Sequence, residues 1–298
     1  MRTNRFRHFL AIDWSGAAGE RQPGIALSLC TAEGSPRLLH PQSHRRWSRD
    51  AVLDYLLTDL PPDTLVGLDL GISLPYQDAG AFFPGWADSP CDARALWRLV
   101  DEICESDPHL GARSFVDHPI ASAYFRRHGG REGSRFHLLG TPHRRGRFRI
   151  TENAQERAGC KPYSNFNLVG AAQVGKSSLT GMRMLHRLEG RLFVWPVDGL
   201  YPPASGSVIV EIYTAIAALA ASRSVGRSKI RDGASLDVAL HKLGSPPSGL
   251  SGIVDDHSAD ALLSAAWLRM HANDEALWRP GELTHDVART EGWTFGAP

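Results

Sequence analysis

Short apolar runs that close on an acidic residue recur along the chain. In HFLAIDWSG, residues 8–16, four apolar positions lead to Asp13, and the run predicts a central strand over 10–13. PGIALSLC, residues 23–30, predicts a second strand after a loop holding Gly19 and Pro23. PRLLHPQSHRRW predicts a third, around Leu38–His44, which Pro41 confines to an edge or bulge because it cannot donate to a ladder. SRDAVLDYLLTDL then changes period. Val52, Leu53, Leu56, Leu57 and Leu60 fall at helical spacing behind a Ser48 cap, and Pro61-Pro62 stops the helix. TLVGLDLG is again strand-like and ends at Asp69. Two predicted strands thus carry an aspartate at the carboxyl end, where ligands of α/β sheets gather.

Residues 71–190 break this pattern. They read as helix and loop, with DARALWRLVDEICES the clearest helix, and predict a helical, arginine-rich insertion. Regular signals return with RLFVWPV and with GSVIVEIYTAIAALAA, a strand running into a helix with Glu211 at the junction. GASLDVALHKL predicts a helix, and DDHSADALLSAAWL opens another over 256–271. The expected organisation is one α/β domain over residues 1–298, interrupted at 71–190.

Bulk composition changes this picture little. A chain of 298 residues with 42% hydrophobic and 22% charged positions and a net charge of +1 reads as an ordinary globular protein. No apolar run approaches the roughly 18–20 residues of a membrane span, and the apolar start ends too soon, at Asp13, for a signal peptide. Cys30, Cys91, Cys104 and Cys160 form no CxxC pair, so free thiols and a cytoplasmic location are expected, and a cysteine-based zinc site is not.

The acids carry the candidate chemistry. Asp13, Asp69, Glu211, Asp255, Asp256 and Asp260 all end strands or begin the 256–271 helix. Burying an unpaired carboxylate costs several kcal/mol. Asp255 or Asp256 is explained as a helix cap. Asp260 is not, because it lies four residues beyond Asp256, on the same face, where like charges repel. A divalent cation such as Mg²⁺ or Mn²⁺ would resolve the repulsion, since both prefer carboxylate oxygens and water, and two such ions about 4 Å apart can support phosphodiester cleavage.

The order of elements and acids resembles the RNase H-like fold: three antiparallel strands, a helix, further parallel strands, and acids on the first strand, a later strand and a final helix. AIDWSGA, VGLDLGISLP, QVGKSSLTGM, VIVEIYTA, DDHSADALLSAAW and EGWTFG together resemble the motifs of a predicted-nuclease family, domain-of-unknown-function family 429, and HSADAL is similar to the last-helix motif of resolvase-type relatives. The resemblance implies a metal site in which Asp13 and Asp69 are the strand ligands and Asp256 and Asp260 complete the set, with Glu211 a further acid nearby and His257 orienting a water or phosphate. Thr214-Ala215 stand after EIY where many relatives are expected to have a proline.

Two features compete or complement. GAAQVGKS, residues 170–177, satisfies the phosphate-loop pattern, which needs a strand before it and a helix after it; NFNLV is a poor strand. Lys176 is in either case a candidate phosphate ligand. Residues 126–149 hold eight arginines and one acid. Of these, Arg126, Arg127, Arg144, Arg145 and Arg147 are candidate nucleic-acid contacts, with Phe136 and Phe148 interleaved. The opposing reading is that arginine is this chain's default cation, with 29 arginines against four lysines. Three functions follow: a metal-dependent nuclease acting on DNA or RNA, an ATP-dependent phosphotransferase of actin-like, sugar-kinase or P-loop type, and a non-catalytic nucleic-acid-binding protein.

Overall fold

The computed structural model describes residues 5–127, 129, 131–138, 145–169, 173–188, 190–221 and 230–298. Six strands form one mixed sheet: β1 (His8–Asp13), β2 (Ala26–Thr31), β3 (Arg37–Leu39), β4 (Thr64–Asp69), β5 (Phe193–Trp195) and β6 (Val208–Glu211). Their spatial order is β3-β2-β1-β4-β6-β5. β1, β2 and β3 are antiparallel neighbours, whereas β4 runs parallel to β1, β6 to β4, and β5 to β6. This is the expected α/β arrangement of three antiparallel strands followed by parallel ones. The third strand is shorter than expected and ends at Leu39, two residues before Pro41, which therefore sits outside the ladder.

The helices are α1 (Arg49–Thr58), α2 (Ala93–Ile103), α3 (Arg113–Val116), α4 (Ile150–Arg157), α5 (Val174–Arg187), α6 (Thr214–Ala220), α7 (Gly233–Lys242), α8 (Asp256–His271), α9 (Glu275–Trp278) and α10 (His285–Thr290), with a 3₁₀ turn at Ala121–Tyr124. Ser48 caps α1 as its position predicts, its hydroxyl accepting from the Ala51 N–H at 3.0 Å.

Alternation along the strands divides the core in two. Leu10 and Ile12 of β1, Val66 and Leu68 of β4 and Ile209 of β6 face a layer built by α1, α2 and α5 through residues such as Val52, Leu96, Trp97, Leu179 and Met182. Residues 71–190 therefore supply much of the cover for one sheet face. Phe9 and Ala11, Leu65, Val208 and Val210 face the other layer, with Leu262, Ala265, Ala266 and Leu268 of α8 among its members. The alanines let α8 lie close to the sheet, and Gly67 of β4 deepens the fit. A methyl built there would sit 2.8 Å from Leu268 Cδ1 and 2.9 Å from Ile212 Cγ2.

Among the described residues no helix is long and apolar enough to cross a membrane. All four cysteines are unbridged, three of them buried.

Candidate functional site

The strand period that sorts the core also sorts the acids. Asp13 follows Phe9 and Ala11 at two-residue steps, and Asp69 follows Leu65 and Gly67, so both project toward α8. The parallel ladder of β1 and β4 pairs Asp13 directly with Asp69. Neighbouring strands lie about 4.8 Å apart, so two carboxylates are forced side by side at the strand ends. α8 brings a third carboxylate and an imidazole to them. His257 Nδ1 lies 3.1 Å from Asp13 Oδ2, and Asp260, one turn further on, is close enough for its charge to act on Asp69.

Ionisation reflects this crowding. Burial, then the charges of Asp13 and Asp260, hold the Asp69 carboxyl well above the usual carboxylate range, against a partial counterweight from Thr214. Burial also raises Asp13, opposed by its hydrogen bond to His257, and that same hydrogen bond raises His257. Thr214 donates both its backbone N–H, at 3.2 Å, and its hydroxyl, at 3.4 Å, to Asp69. A proline at this position would lack that N–H; here the residue that departs from the expected pattern supports the acid.

The cap of α8 is Asp255, which accepts from the Ser258 N–H at 3.0 Å and from its hydroxyl at 2.7 Å. Asp256 is the first helical residue. Glu211 belongs to a different cluster. Its ladder partner is Leu68, one residue short of Asp69, so it points to the opposite sheet face from the aspartates. There it accepts from Arg149 twice, at 2.8 and 2.6 Å, from the Ile72 N–H at 2.8 Å and from the Thr294 hydroxyl at 2.5 Å. Arg149 also grips Glu152 and donates to the Glu291 carbonyl. Glu211 is thus saturated as the anchor of a buried ion cluster.

Asp69 opens into a cavity of about 440 Å³, which Asp13, Asp256 and Asp260 do not line directly. Asp69, His257, Lys176 and Ser177 are among its lining residues, as are the fixed Arg149 and Glu211. Lys176 arrives because the loop after β1 docks on the start of α5. Trp14 Nε1 donates to Thr180 Oγ1 at 2.9 Å, and buried Arg49 donates to the carbonyls of Ser15 and Ala17 at 2.9 and 3.0 Å. Gly16 makes the approach possible, since a methyl there would meet the Lys176 backbone at 2.3 Å. Gly16→Ala is expected to push α5 away from the acids and lower the melting temperature by several degrees, as a thermal melt will show. Among the described residues Lys176 forms no ion pair, which leaves its ammonium for a ligand.

The phosphate-loop alternative loses its context. α5 does begin at Val174, but no strand precedes it: among described residues 161–169 there is only an isolated bridge from Asn167 to Arg126. Gly175 is packed on the Asn165 and Asn167 carbonyls and its N–H is bonded to Asn167 O at 3.0 Å, so it does not cradle a phosphate. Residues 170–172 lie outside the described residues.

The arginine-rich segment also differs from expectation. Arg147 is fully buried, paired twice with Asp78 and bonded to the carbonyls of Pro75, Ala81 and Phe82. It pins one loop to another and offers nucleic acid nothing. Arg145 holds Glu156 and the Pro162 carbonyl, and Arg127 holds Val116 O and Asp117. Arg126 lies 3.8 Å from Glu132. Arg144 falls outside the described residues. Among the described arginines of this segment, Arg147 and Arg149 are buried and structural, whereas Arg126, Arg127 and Arg145 pair with acids but keep part of their side chains at the surface.

Sequence reasoning missed the Arg149–Glu152–Glu211 cluster and its continuation through EGWTFG. Glu291 accepts from the N–H groups of Tyr76, Gln77 and Ile150, at 2.6, 2.8 and 2.7 Å, and burial raises its carboxyl to about 7. Gly292 and Gly296 take left-handed backbone (φ 67° and 96°) around Trp293 and Phe295. An RxxE spacing at residues 149–152 was the available signal: Glu152 reaches back to accept from the Arg149 N–H at 2.8 Å, and the guanidinium donates to the same carboxylate.

Among the described residues no three His, Cys, Asp or Glu side chains form a ready-made metal cage. Mg²⁺ does not require one, because it is commonly held by one or two carboxylates and completed by water and substrate phosphate. The Asp13–Asp69 pair, crowded and under-compensated, has the hard oxygen donors such an ion prefers. No family model, no curated protein and no solved structure matches the chain.

Proposed function

We propose that this protein is a divalent-metal-dependent nuclease, working with Mg²⁺ or Mn²⁺ at the Asp13–Asp69 pair. The observation that carries the reading is the register of β1 and β4, which sets two carboxylates abreast on the α8 face beside a cleft. Such a pair is unstable as two bare anions, and Asp260 makes it more so. When bound, the ion supplies positive charge to the phosphoryl oxygens and makes water a stronger acid. Asp260 and Asp256 are the α8 candidates to complete its surroundings. His257, engaged at Nδ1 by Asp13, has Nε2 for a water or a phosphate oxygen, and the carboxylate behind it raises its basicity. Lys176 faces the same space and supplies a charge to the substrate phosphate. The cytoplasm is the proposed location, given unbridged cysteines.

The test is cleavage of labelled single-stranded, duplex and hybrid oligonucleotides with Mg²⁺ or Mn²⁺, comparing wild type with Asp13→Asn. Cleavage that needs the metal and is lost in the variant supports the reading; cleavage unchanged by Asp13→Asn removes the site from it. Absence of cleavage with every substrate favours a binding protein instead. Lys176→Ala is expected to raise KM about tenfold, equivalent to roughly 1.4 kcal/mol, with a smaller change in kcat, as steady-state kinetics will show.

A further inference from the structure

The cleft has a second set of lining groups whose chemistry is unlike that of the first. Besides Asp69, His257 and Lys176 it is lined by Gln155 of α4, Tyr163 and Asn165 of the loop that follows, and Tyr213 after β6. Gln155 and Asn165 are more than nine-tenths buried, and each is fixed by one hydrogen bond that also settles its orientation. Asn165 donates Nδ2 to the Ser73 carbonyl at 2.8 Å, and a carbonyl only accepts. Gln155 donates Nε2 to Thr294 Oγ1 at 2.8 Å. That hydroxyl spends its proton on the Glu211 carboxylate, so it accepts from Gln155. Each amide is therefore left with its carbonyl oxygen; among the described residues no hydrogen bond reaches Asn165 Oδ1 or Gln155 Oε1, and neither oxygen is sealed from solvent.

Two oriented acceptors that open to a cleft suit a ligand with donors. A phosphate is the wrong occupant, because it too is rich in acceptors. A nucleobase fits: its N–H groups meet the amide oxygens, and the flanking tyrosines, Tyr163 being 43% exposed, offer π-faces for stacking. Guanine alone among the common bases presents two neighbouring donor groups, N1–H and N2–H₂, on one edge. We infer that the Gln155–Asn165 wall is a nucleobase subsite selecting an unpaired guanine next to the phosphate held at the acidic wall. This rests on the nuclease reading, and it adds that the substrate is single-stranded or flipped at that position, since pairing with cytosine engages the edge that carries N1–H and N2–H together.

The subsite is tested without metal, so that binding and cleavage fail independently. Guanosine, adenosine, cytidine and uridine 5′-monophosphates are titrated in the presence of EDTA, following quenching of Trp14, which also lines the cleft. Guanosine monophosphate is expected to bind at least tenfold more tightly than the uridine compound. Inosine monophosphate, which lacks the 2-amino donor, falls between them. Gln155→Met, which keeps length and removes the acceptor, should bring guanosine and inosine monophosphates to similar affinity. Tyr163→Ala, at an exposed position that leaves folding intact, should weaken all of the nucleotides alike. Equal affinity for the four common monophosphates, or none for any, overturns the base subsite. Metal-dependent cleavage abolished by Asp13→Asn but indifferent to base would then leave the nuclease reading standing by itself.

Discussion

Asp69→Asn is expected to abolish metal-dependent cleavage, by at least about a hundredfold, while raising the stability of the metal-free protein. Removing a charge-stabilising group at the reacting phosphate has losses of this order. The stability gain follows from the geometry: Asp69 is crowded by Asp13 across the ladder and by Asp260 from α8, with only Thr214 in compensation. An amide keeps the shape and removes the repelling charge. A gain of about 1 kcal/mol is typical where a functional site is relieved of strain. Its pH dependence has a fixed sign. The folded carboxyl titrates above its unfolded value, so between the two the native state holds a proton that the unfolded chain has released. Stability from this group is present at acid pH and lost as pH rises through the folded pKa. Wild type and Asp69→Asn should therefore be closest in stability at mildly acid pH and diverge toward neutrality and above, the variant being the more stable. Melts across pH 4.5–8.5 measure the difference directly. A variant less stable than wild type throughout would show that Asp69 is a structural acceptor for Thr214 and not a strained ligand. Added Mn²⁺ should stabilise wild type and not the variant.

Arg149→Met should be the most damaging single change to the fold. The guanidinium is buried, and burial opposes its charge, but Glu152 and Glu211 more than offset that and hold it ionised. Without it two buried carboxylates lose their counter-charge, which costs about 3–5 kcal/mol when one partner of a buried pair is removed. At about 2 °C per kcal/mol for a chain of this size, the melting temperature should fall by about 6–10 °C. Arg149→Lys should recover only part of this, because an ammonium cannot reproduce paired bonds to two carboxylates. Arg149→Met combined with Glu211→Gln should be more stable than Arg149→Met alone, since the charge left behind, more than the missing bond, is what destabilises. A double variant no better than the single one would mean that Glu211 matters for the hydrogen bonds it accepts from Ile72 and Thr294, and not for its charge.

The two clusters were unequally legible in the sequence. Asp13 and Asp69 could be found because each ends an apolar run, and strand period and ladder register act locally enough for that pattern to survive into three dimensions. α8 was equally plain, from a cap, an acid where a cap needs none, and an alanine-rich stretch. Glu211 shared the strand-end signal, but its register differs by one residue, and one residue in a strand reverses the face. Neither the offset nor its partner, 62 residues away at Arg149, is visible in a linear pattern. The structural role of Arg147 was hidden for a related reason. Composition records how many guanidinium groups there are and not whether they face solvent or, as Arg147 does, a cage of carbonyls. Lys176 joined the site through Trp14, Arg49 and Gly16, a tertiary contact with no sequence periodicity behind it.

The central claim is that the carboxylates set abreast at the ends of β1 and β4 hold a divalent metal. Titration with Mn²⁺, following loss of the free aqua-ion signal by electron paramagnetic resonance, tests it most directly and needs no substrate. Wild type should bind Mn²⁺, Asp13→Asn and Asp69→Asn should each weaken that binding by at least tenfold, and Arg126→Ala should leave it unchanged. Binding of equal strength in wild type and both aspartate variants, or no binding in any of them, would contradict the claim.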